Sequence, residues 1–272
     1  RDRDVTGVQT CALPICNPTT LILFGLAIIF LLFFVAIERK AANPMMPLRV
    51  VSERNRGGSY LGSMFVGAGL FSMFLFLGLY LQVILGYSPL KSGVAFLPFT
   101  AGVIVFAGIA SQLLPKIGPK PLIIPGLVLA SIGMVLLARI TPMTSYATHV
   151  LPSLLIISSG MALVFIPLST TSLHNVGTHD AGVASALINT SQQVGGSLGT
   201  ALLNTISATA AASYAKSHMS LGVKLQPFAM THGFTVAFLV GSALLLSSAV
   251  VLFGFLNIGK DAVVESEGAV LH

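Results

Sequence analysis

The chain is poor in charged residues. Only 8% of its 272 residues are Asp, Glu, Lys or Arg, whereas 54% are hydrophobic, and its mean hydropathy is +0.92. A water-soluble protein of this length could not cover its surface with so few charged side chains. The scarcity of charge therefore excludes a soluble globular protein and predicts a membrane protein.

Cysteine and acidic residues are also scarce. The two cysteines, Cys11 and Cys16, both lie in the first few residues, which excludes a disulfide framework and a cysteine metal site. Between Glu53 and Asp261 the only acidic residue is Asp180, and one carboxylate cannot form an acid–base pair. The sequence has no H-E-x-x-H motif, no paired aspartates and no serine with an evident base. It therefore predicts neither an enzyme nor a metal or cofactor site.

Seven long apolar runs fill most of the chain. A transmembrane helix needs about 20 mostly apolar residues. The runs cover residues 19–37, 58–85, 92–114, 121–140, 151–172, 181–211 and 233–258. We therefore predict an all-α integral membrane protein with seven transmembrane helices.

Lys and Arg are distributed unevenly between alternate loops. By alternation, one side of the membrane receives eight of them: Arg39, Lys40, Arg49, Arg54, Arg56, Lys116, Lys120 and Lys260. The other side receives four: Lys91, Arg139, Lys216 and Lys224. Because basic loops favour the cytoplasm, the richer side and the carboxyl terminus are predicted to be cytoplasmic. The scattered basic residues form no patch, so the net charge of +6 does not indicate a nucleic-acid partner.

The two ends of the chain differ from its body. The string V-T-G-V-Q-T-C-A-L-P-I at positions 5–15 resembles a translated sequencing adapter, and it lacks the apolar region of a signal peptide. We therefore expect residues 1–16 to be an artefact and the natural sequence to begin near Cys16 or Asn17, in mid-gene. Residues 259–272 are expected to form a disordered cytoplasmic tail.

The sixth run is the most polar. Its segment 189–199 contains three amides, whose exposure to lipid would be costly, together with Gly195 and Gly199 in a G-x-x-x-G pattern. The glycines predict a close contact with another helix. A neighbouring stripe at helical spacing consists of Asn189, Gln193, Thr200 and Asn204. These polar side chains either hydrogen-bond across a helix interface or line a cavity.

Glycine and proline are dense in several other runs, for example Gly62 and Gly67 in the second and Pro167 in the fifth. Ordinary membrane packing explains any single one of them. Their density across several helices favours a bundle that moves.

The turn at 110–121, A-S-Q-L-L-P-K-I-G-P-K-P, resembles the G-x-L-x-D-R-x-G-x-R loop that major facilitator superfamily transporters repeat in each half. The corresponding positions are Ser111, Leu113, Lys116, Gly118 and Lys120. Pro115 replaces the acidic residue of that pattern. The resemblance implies a cytoplasmic gating loop that lacks the acidic member of a charge relay.

Segments 38–49, 79–90 and 189–199 resemble the EmrB/QacA-like, fourteen-helix branch of drug:proton antiporters. The resemblance covers residues 18–258. It implies that residues 17–57 form a linker transmembrane helix with a cytoplasmic loop, and that residues 58–258 form the carboxyl-terminal six-helix bundle of a major facilitator fold. The amino-terminal bundle of such a transporter is then a partner that this chain lacks.

The resemblance further implies one half of a multi-pass secondary transporter in a bacterial plasma membrane. Such a transporter exports small amphipathic compounds by alternating access, with the proton gradient as its energy source and no cofactor. A non-transporting scaffold or half-size subunit, and a transporter of a single metabolite, stay open as alternatives.

By analogy with this fold, the second and fifth runs face the central cavity, and the third and sixth lie between the two halves. The candidate cavity residues are Phe71, Phe74, Tyr80, Gln82, Ser158, Ser159, Asn189, Gln193, Thr200 and Asn204. For the aromatic residues, contact with lipid or with the core is the alternative.

Overall fold

The computed structural model describes residues 18–41, 46, 48–173, 176–177 and 180–257. These residues form helices and connecting turns without a β-strand, which confirms the predicted all-α class. The helices are α1 (Pro18–Lys40), α2 (Leu48–Ser52), α3 (Arg54–Leu79), α4 (Pro89–Ala95), α5 (Leu97–Ile117), α6 (Lys120–Leu137), α7 (Leu151–Leu173), α8 (Ala181–Ser217) and α9 (Leu225–Phe255). The adapter-like residues 1–16 and the tail 259–272 lie outside the described residues.

The chain divides into two compact units, Arg1–Leu48 and Arg49–His272. In the first unit, α1 is apolar along most of its length and ends with Arg39 and Lys40. Almost all its described side chains are exposed. An apolar helix of 23 residues is long enough to cross the hydrocarbon core of a bilayer, where lipid replaces water as its surroundings.

Six helical segments of the described chain are long and apolar enough to cross a membrane. They are Leu21–Lys40, Arg54–Ile84, Pro89–Ile117, Lys120–Leu137, Tyr146–Leu173 and Leu225–Phe255. The one predicted run that is absent from this set, the sixth, corresponds to α8, which has 37 residues and therefore ample length. Its many Ser, Thr, Asn and Gln residues lower its mean hydropathy, so it is not one of the six segments. The last run begins at Leu225, earlier than the predicted residue 233, because the segment before Gly233 is also helical.

In the second unit, α3 packs along both α8 and α9, while α7 packs along α5 and α6. Helix α9 also contacts α6 and α8, so it joins the two groups. We call the end of this bundle with the α5–α6 turn the Lys120 end, and the end with the carboxyl terminus of α6 the Arg139 end. The core between these helices includes the fully buried side chains of Met73, Phe76 and Phe238.

The predicted G-x-x-x-G contact is confirmed between α8 and α3. A Cβ atom on Gly195 would collide with the backbone of Met64, and one on Gly199 would collide with Ala68. On the other side of the contact, Gly67 meets the backbone of Gln192 in the same way. Because these glycines have no side chain, the two backbones touch. The contact fixes the rotation of α8 and therefore the direction of its polar side chains.

Buried hydroxyl groups hold α9 against its other neighbours. The Oγ atoms of Ser131 and Ser242 are 2.7 Å apart, which joins α6 to α9. Ser248 Oγ donates a hydrogen bond of 3.0 Å to the carbonyl oxygen of Gly62 in α3. Such bonds satisfy polar groups that find no water inside a membrane protein.

Candidate substrate groove and gating loop

Two neighbouring cavities open where α3 meets α7 and α8. The larger has a volume of about 540 Å³ and is lined by Phe71, Leu75, Leu79, Gly196, Ser197, Thr200, Ala201 and Asn204. The second has a volume of about 400 Å³ and is lined by Val66, Gly67, Leu70, Phe71, Phe74, Phe165 and Gln192. Phe71 lines both. We call the two cavities together the Phe71 groove.

Helix α3 has one buried face and one face on the groove. Its exposed stripe, continued into the π-helical turn Tyr80–Ile84, consists of Phe71, Phe74, Leu75, Leu79 and Gln82. Neighbouring positions such as Met73 and Phe76 point into the core and are fully buried. Since side chains three and four residues apart share one face of a helix, the same apolar segment supplies both core and groove wall.

Two aromatic rings of α3 are held differently. Phe74 packs edge-on against Phe99, with ring centroids 5.2 Å apart, and its centroid lies 5.3 Å from that of Phe96. Phe71 is half exposed, and its ring lies against Gly196, where a Cβ atom would come within 2.7 Å of Phe71 Cγ. Phe74 is thus fixed by an aromatic cluster, and Phe71 depends on the absence of a side chain at position 196.

Helix α8 supplies the polar side of the groove. Gln192 and Thr200 are half-buried, and Asn204 is exposed. The side-chain amides of Gln192 and Asn204 form no hydrogen bond within the described part of the chain, so they can bond a ligand. Neither cavity has a charged side chain among its described lining residues. The groove therefore suits an apolar molecule with a few neutral polar groups.

Four of the ten predicted cavity residues line the groove: Phe71, Phe74, Thr200 and Asn204. Three others are buried in the bundle. Tyr80 is completely buried, and its hydroxyl donates to the carbonyl oxygen of Thr141 at 2.9 Å. The hydroxyls of Ser158 and Ser159 donate to carbonyl oxygens of their own helix, at 2.9 and 2.8 Å. A role of these three residues in substrate binding stays a prediction.

The remaining three, Gln82, Asn189 and Gln193, are exposed outside the two cavities. Asn189 Nδ2 donates to the carbonyl oxygen of Ser185, one turn earlier, at 3.0 Å. No described hydrogen bond from these amides crosses a helix interface. Their predicted contact with substrate also remains open.

Sequence reasoning missed Phe165, Gln192 and Gly196. The predicted stripe of α8 passed through Gln193, whereas the groove is lined by Gln192, Gly196, Thr200 and Asn204, which are spaced by four residues. That i, i+4 series is visible in the sequence and could have identified Gln192. We find no sequence signal that distinguishes Phe165 from the other apolar residues of α7.

The predicted gating-loop residues form a tight turn at the Lys120 end. Gly118 ends α5 with φ 84°, a conformation that favours glycine, and its N–H donates to Leu114 O at 2.9 Å. Leu113 packs against the small cluster formed by Leu114 and Leu122. Ser111 Oγ donates to Gly108 O at 3.0 Å, and Lys116 is exposed.

Two cations bind the carboxyl-terminal end of α9. Lys120 Nζ donates to Leu256 O at 3.2 Å and lies 4.4 Å from the centre of the Phe253 ring. Arg54 Nη2 donates to Gly254 O at 2.7 Å. These carbonyls have no partner within the helix, and the helix dipole favours positive charge at this end. The α5–α6 turn and the start of α3 are therefore both tied to α9.

Glu53 caps the amino terminus of α3. Its carboxylate accepts hydrogen bonds from the backbone N–H groups of Asn55 at 3.1 Å and Arg56 at 2.8 Å. Burial alone would raise the pKa of Glu53, but the bonds from these N–H groups and the positive charge of Arg56 hold it below its ordinary value. This end of α3 thus has a negative cap followed by Arg54, which bonds the end of α9.

Comparison with known proteins agrees with the all-helical membrane fold described above. Residues 18–200 match the family model of the Major Facilitator Superfamily. The chain is 40% identical over 256 residues to the puromycin resistance protein pur8 of Streptomyces alboniger, and this alignment covers 93% of the chain and 51% of that protein.

Two further bacterial relatives are named for export or resistance. The chain is 34% identical over 178 residues to the cephamycin export protein CmcT of Amycolatopsis lactamdurans, which covers 65% of the chain and 37% of that protein. It is 30% identical over 168 residues to the multidrug resistance protein B homolog of Mycobacterium tuberculosis, with 61% and 31% covered. The chain thus spans about half the length of pur8 and about a third of the other two. The family match, the all-helical fold and these relatives show that the chain is a multi-pass membrane protein that belongs to the Major Facilitator Superfamily.

Proposed function

We propose that this chain is the carboxyl-terminal half of a secondary transporter that exports small amphipathic compounds. The observation that carries the proposal is the Phe71 groove, where one exposed aromatic ring stands between two cavities and unbonded amides line one side. Small-molecule sites are mostly apolar with a few polar groups, which this lining provides. The names of the relatives, for resistance to puromycin and export of cephamycin, support export as the direction of transport.

The proposed mechanism is alternating access. In such transporters two bundles rock around a site near the membrane midplane. We assign the wall formed by α3, α7 and α8 to this chain, and the opposite wall to an amino-terminal six-helix bundle. The exposed apolar side chains of the groove, such as Phe71 and Leu75, then become buried against substrate or that bundle in each cycle.

The energy source in this proposal is the proton gradient. Helices α3 to α9, as described, contain no acidic residue, so a proton-binding carboxylate must come from another part of the transporter. Protonation there would favour one access state and substrate the other, which couples the two fluxes. No cofactor takes part.

We place the Lys120 end in the cytoplasm of a bacterial cell. Its basic residues Arg54, Arg56, Lys116 and Lys120 outnumber its acidic ones, as expected for a cytoplasmic side. In this orientation the turn at Gly118 serves as the cytoplasmic gating loop, and its tie to α9 through Lys120 holds the loop in one position.

The test is export of puromycin from a drug-sensitive bacterium that produces this chain together with an amino-terminal six-helix bundle from a relative. We expect less accumulated puromycin than in cells with either part alone, and loss of the difference when a protonophore collapses the gradient. Phe71→Ala should remove most of this export, whereas Phe30→Ala, an exposed phenylalanine of α1, should not. Equal accumulation with and without the chain, at verified membrane levels of both parts, would contradict the proposal.

A further inference from the structure

In the described part of helices α3 to α9, the Arg139 end of the bundle has basic side chains and no carboxylate. Lys91, Arg139 and Lys216 lie there, together with His149, His218 and His232. The sequence has no acidic residue between Glu53 and Asp180, nor between Asp180 and Asp261, so none of the helices α3 to α9 contains one. The positive potential of this end is therefore not neutralised by the described protein.

A cavity of about 300 Å³ lies at this end, separate from the Phe71 groove. It is formed by the residues that follow α6, the last turns of α8 and the first turns of α9. Arg139 and His232 are its basic lining residues. Ile140, Pro142 and Phe228 give it an apolar part.

The two basic residues have no competing partners in the described chain. The guanidinium of Arg139 forms no hydrogen bond or ion pair there, and the ring nitrogens of His232 bond no described protein group. The hydroxyls of Thr231 and Thr235, which also line the cavity, already donate to carbonyl oxygens of α9, at 2.8 Å each. The guanidinium of Arg139 and the imidazole of His232 are therefore free to donate hydrogen bonds to a ligand.

The wall around these donors is ordered by aromatic stacking. The rings of Tyr214 and His218 stack with centroids 4.1 Å apart, and the ring of His232 packs on Tyr214 at 4.8 Å. These contacts join the end of α8 to the start of α9. They hold the imidazole of His232 in place beside the cavity without using its nitrogens.

We propose that this cavity binds a phosphate group on a molecule with an apolar arm. A guanidinium can donate two parallel hydrogen bonds to phosphate oxygens, and the imidazole of His232 adds a further donor. The apolar residues accommodate the arm. The phosphate could belong to the headgroup of an anionic phospholipid or to a soluble organic phosphate. The cavity lies where transmembrane helices end, which is the depth of lipid headgroups, so an anionic headgroup can reach its basic residues.

The experiment is native mass spectrometry of the purified chain in detergent, with one added probe at a time. The probes are phosphatidylglycerol, phosphatidylcholine, glycerol phosphate and inorganic phosphate. We expect phosphatidylglycerol to be retained in preference to phosphatidylcholine. Arg139→Gln and His232→Gln should each weaken this retention about tenfold, because a charge-assisted hydrogen bond is lost.

Lys216→Gln is the matched control, because it removes one positive charge at the same end but Lys216 does not line the cavity. It should change the retention of phosphatidylglycerol less than twofold. Arg139→Lys keeps the charge but loses the planar guanidinium, so its retention of phosphatidylglycerol should lie between those of the native chain and Arg139→Gln. Circular dichroism verifies the helical content of each variant. If Arg139→Gln does not fold, His232→Gln and Arg139→Lys decide the question.

Three results would overturn the proposal. One is equal loss with Arg139→Gln and Lys216→Gln, which would indicate diffuse surface charge. The second is that none of the four probes binds. The third is that both phospholipids are retained equally while neither glycerol phosphate nor inorganic phosphate binds. Binding of glycerol phosphate without a preference for phosphatidylglycerol would support the site and assign it to a soluble ligand.

Discussion

The ring of Phe71 lies directly on the backbone of Gly196, at a position where a Cβ atom on residue 196 would be 2.7 Å from Phe71 Cγ. Phe71 lines both cavities of the groove, so its ring separates them. The contact with Gly196 therefore decides where the boundary between the two cavities lies. An aromatic ring without a ring partner can turn more easily than the clustered ring of Phe74. The pair Phe71 and Gly196 thus controls the shape that the groove offers to a ligand.

Replacing Gly196 with Ala should displace the Phe71 ring. We expect the variant to lose about 1–3 kcal/mol of stability, since an added methyl group in a packed contact forces side chains to shift. Its affinity for an amphipathic fluorescent dye such as rhodamine 6G should also change. Thermal unfolding and fluorescence anisotropy of the purified chain in lipid nanodiscs measure the two effects.

Gly108→Ala is the control for this change, because a Cβ atom on Gly108 of α5 meets no atom within 4 Å. It should leave both stability and dye binding close to native. If the two variants behave alike, the Phe71–Gly196 contact does not constrain the groove.

Gln192→Leu and Gln193→Leu form a matched pair of neighbouring changes. Gln192 lines the smaller cavity, and Gln193 is exposed outside both cavities. We expect Gln192→Leu to weaken dye binding roughly threefold to tenfold, since a neutral hydrogen bond contributes about 1 kcal/mol. Gln193→Leu should alter it less than twofold. A larger effect at Gln193 would show that the polar stripe predicted from the sequence faces the ligand instead.

Lys120→Met should loosen the Lys120 end of the bundle. The substitution removes the hydrogen bond to Leu256 O and the contact with the Phe253 ring, and leaves the end of α9 with one cation fewer. We expect a loss of about 1 kcal/mol in the free energy of unfolding. Titration with sodium dodecyl sulfate, followed by circular dichroism, measures it.

Lys116→Met serves for comparison, because Lys116 is in the same turn but is exposed and makes no described contact with α9. Its stability should stay within about 0.5 kcal/mol of native, as is usual for surface substitutions. Equal losses from both changes would mean that net charge, and not the contact with α9, sets the stability of this end.

Acid should weaken the cap at Glu53. Its pKa in the folded chain lies below the ordinary value of 4.5, so its contribution to stability is fully present above that value and is lost as the pH falls through the lower, folded pKa. Unfolding experiments between roughly pH 6 and pH 3 should show stability falling at the acidic end. Glu53→Gln should reduce that part of the pH dependence. An identical acid profile in the variant would show that other groups are responsible.

Sequence patterns predicted much of this fold because the membrane imposes simple rules on it. Long apolar runs must be helices, since lipid offers no partner for backbone N–H and C=O groups. The glycines at 195 and 199 likewise predicted a helix contact, which the structure places against Met64 and Ala68. These properties depend on neighbours along one helix, which the sequence displays directly.

The assignment of individual groove residues was less successful, for a physical reason. Along α3 and the π-helical turn that follows it, Phe71 and Tyr80 are both aromatic residues in an apolar run, yet one lines a cavity and the other is buried with its hydroxyl bonded to Thr141. Along α8, adjacent residues point about 100° apart on a helix of 3.6 residues per turn. A one-residue choice between Gln192 and Gln193 therefore decides which amide reaches the groove.

The sequence by itself determined the class of the protein, the number and approximate limits of its long helices, and the family to which it belongs. The tertiary structure decided the rotation of α8, the position of the Phe71 ring between the two cavities of the groove, and the cavity that Arg139 and His232 line. Each of these features contains residues from helices that are far apart in the chain. Close packing between particular side chains brings those residues together, and no local sequence pattern encodes that packing.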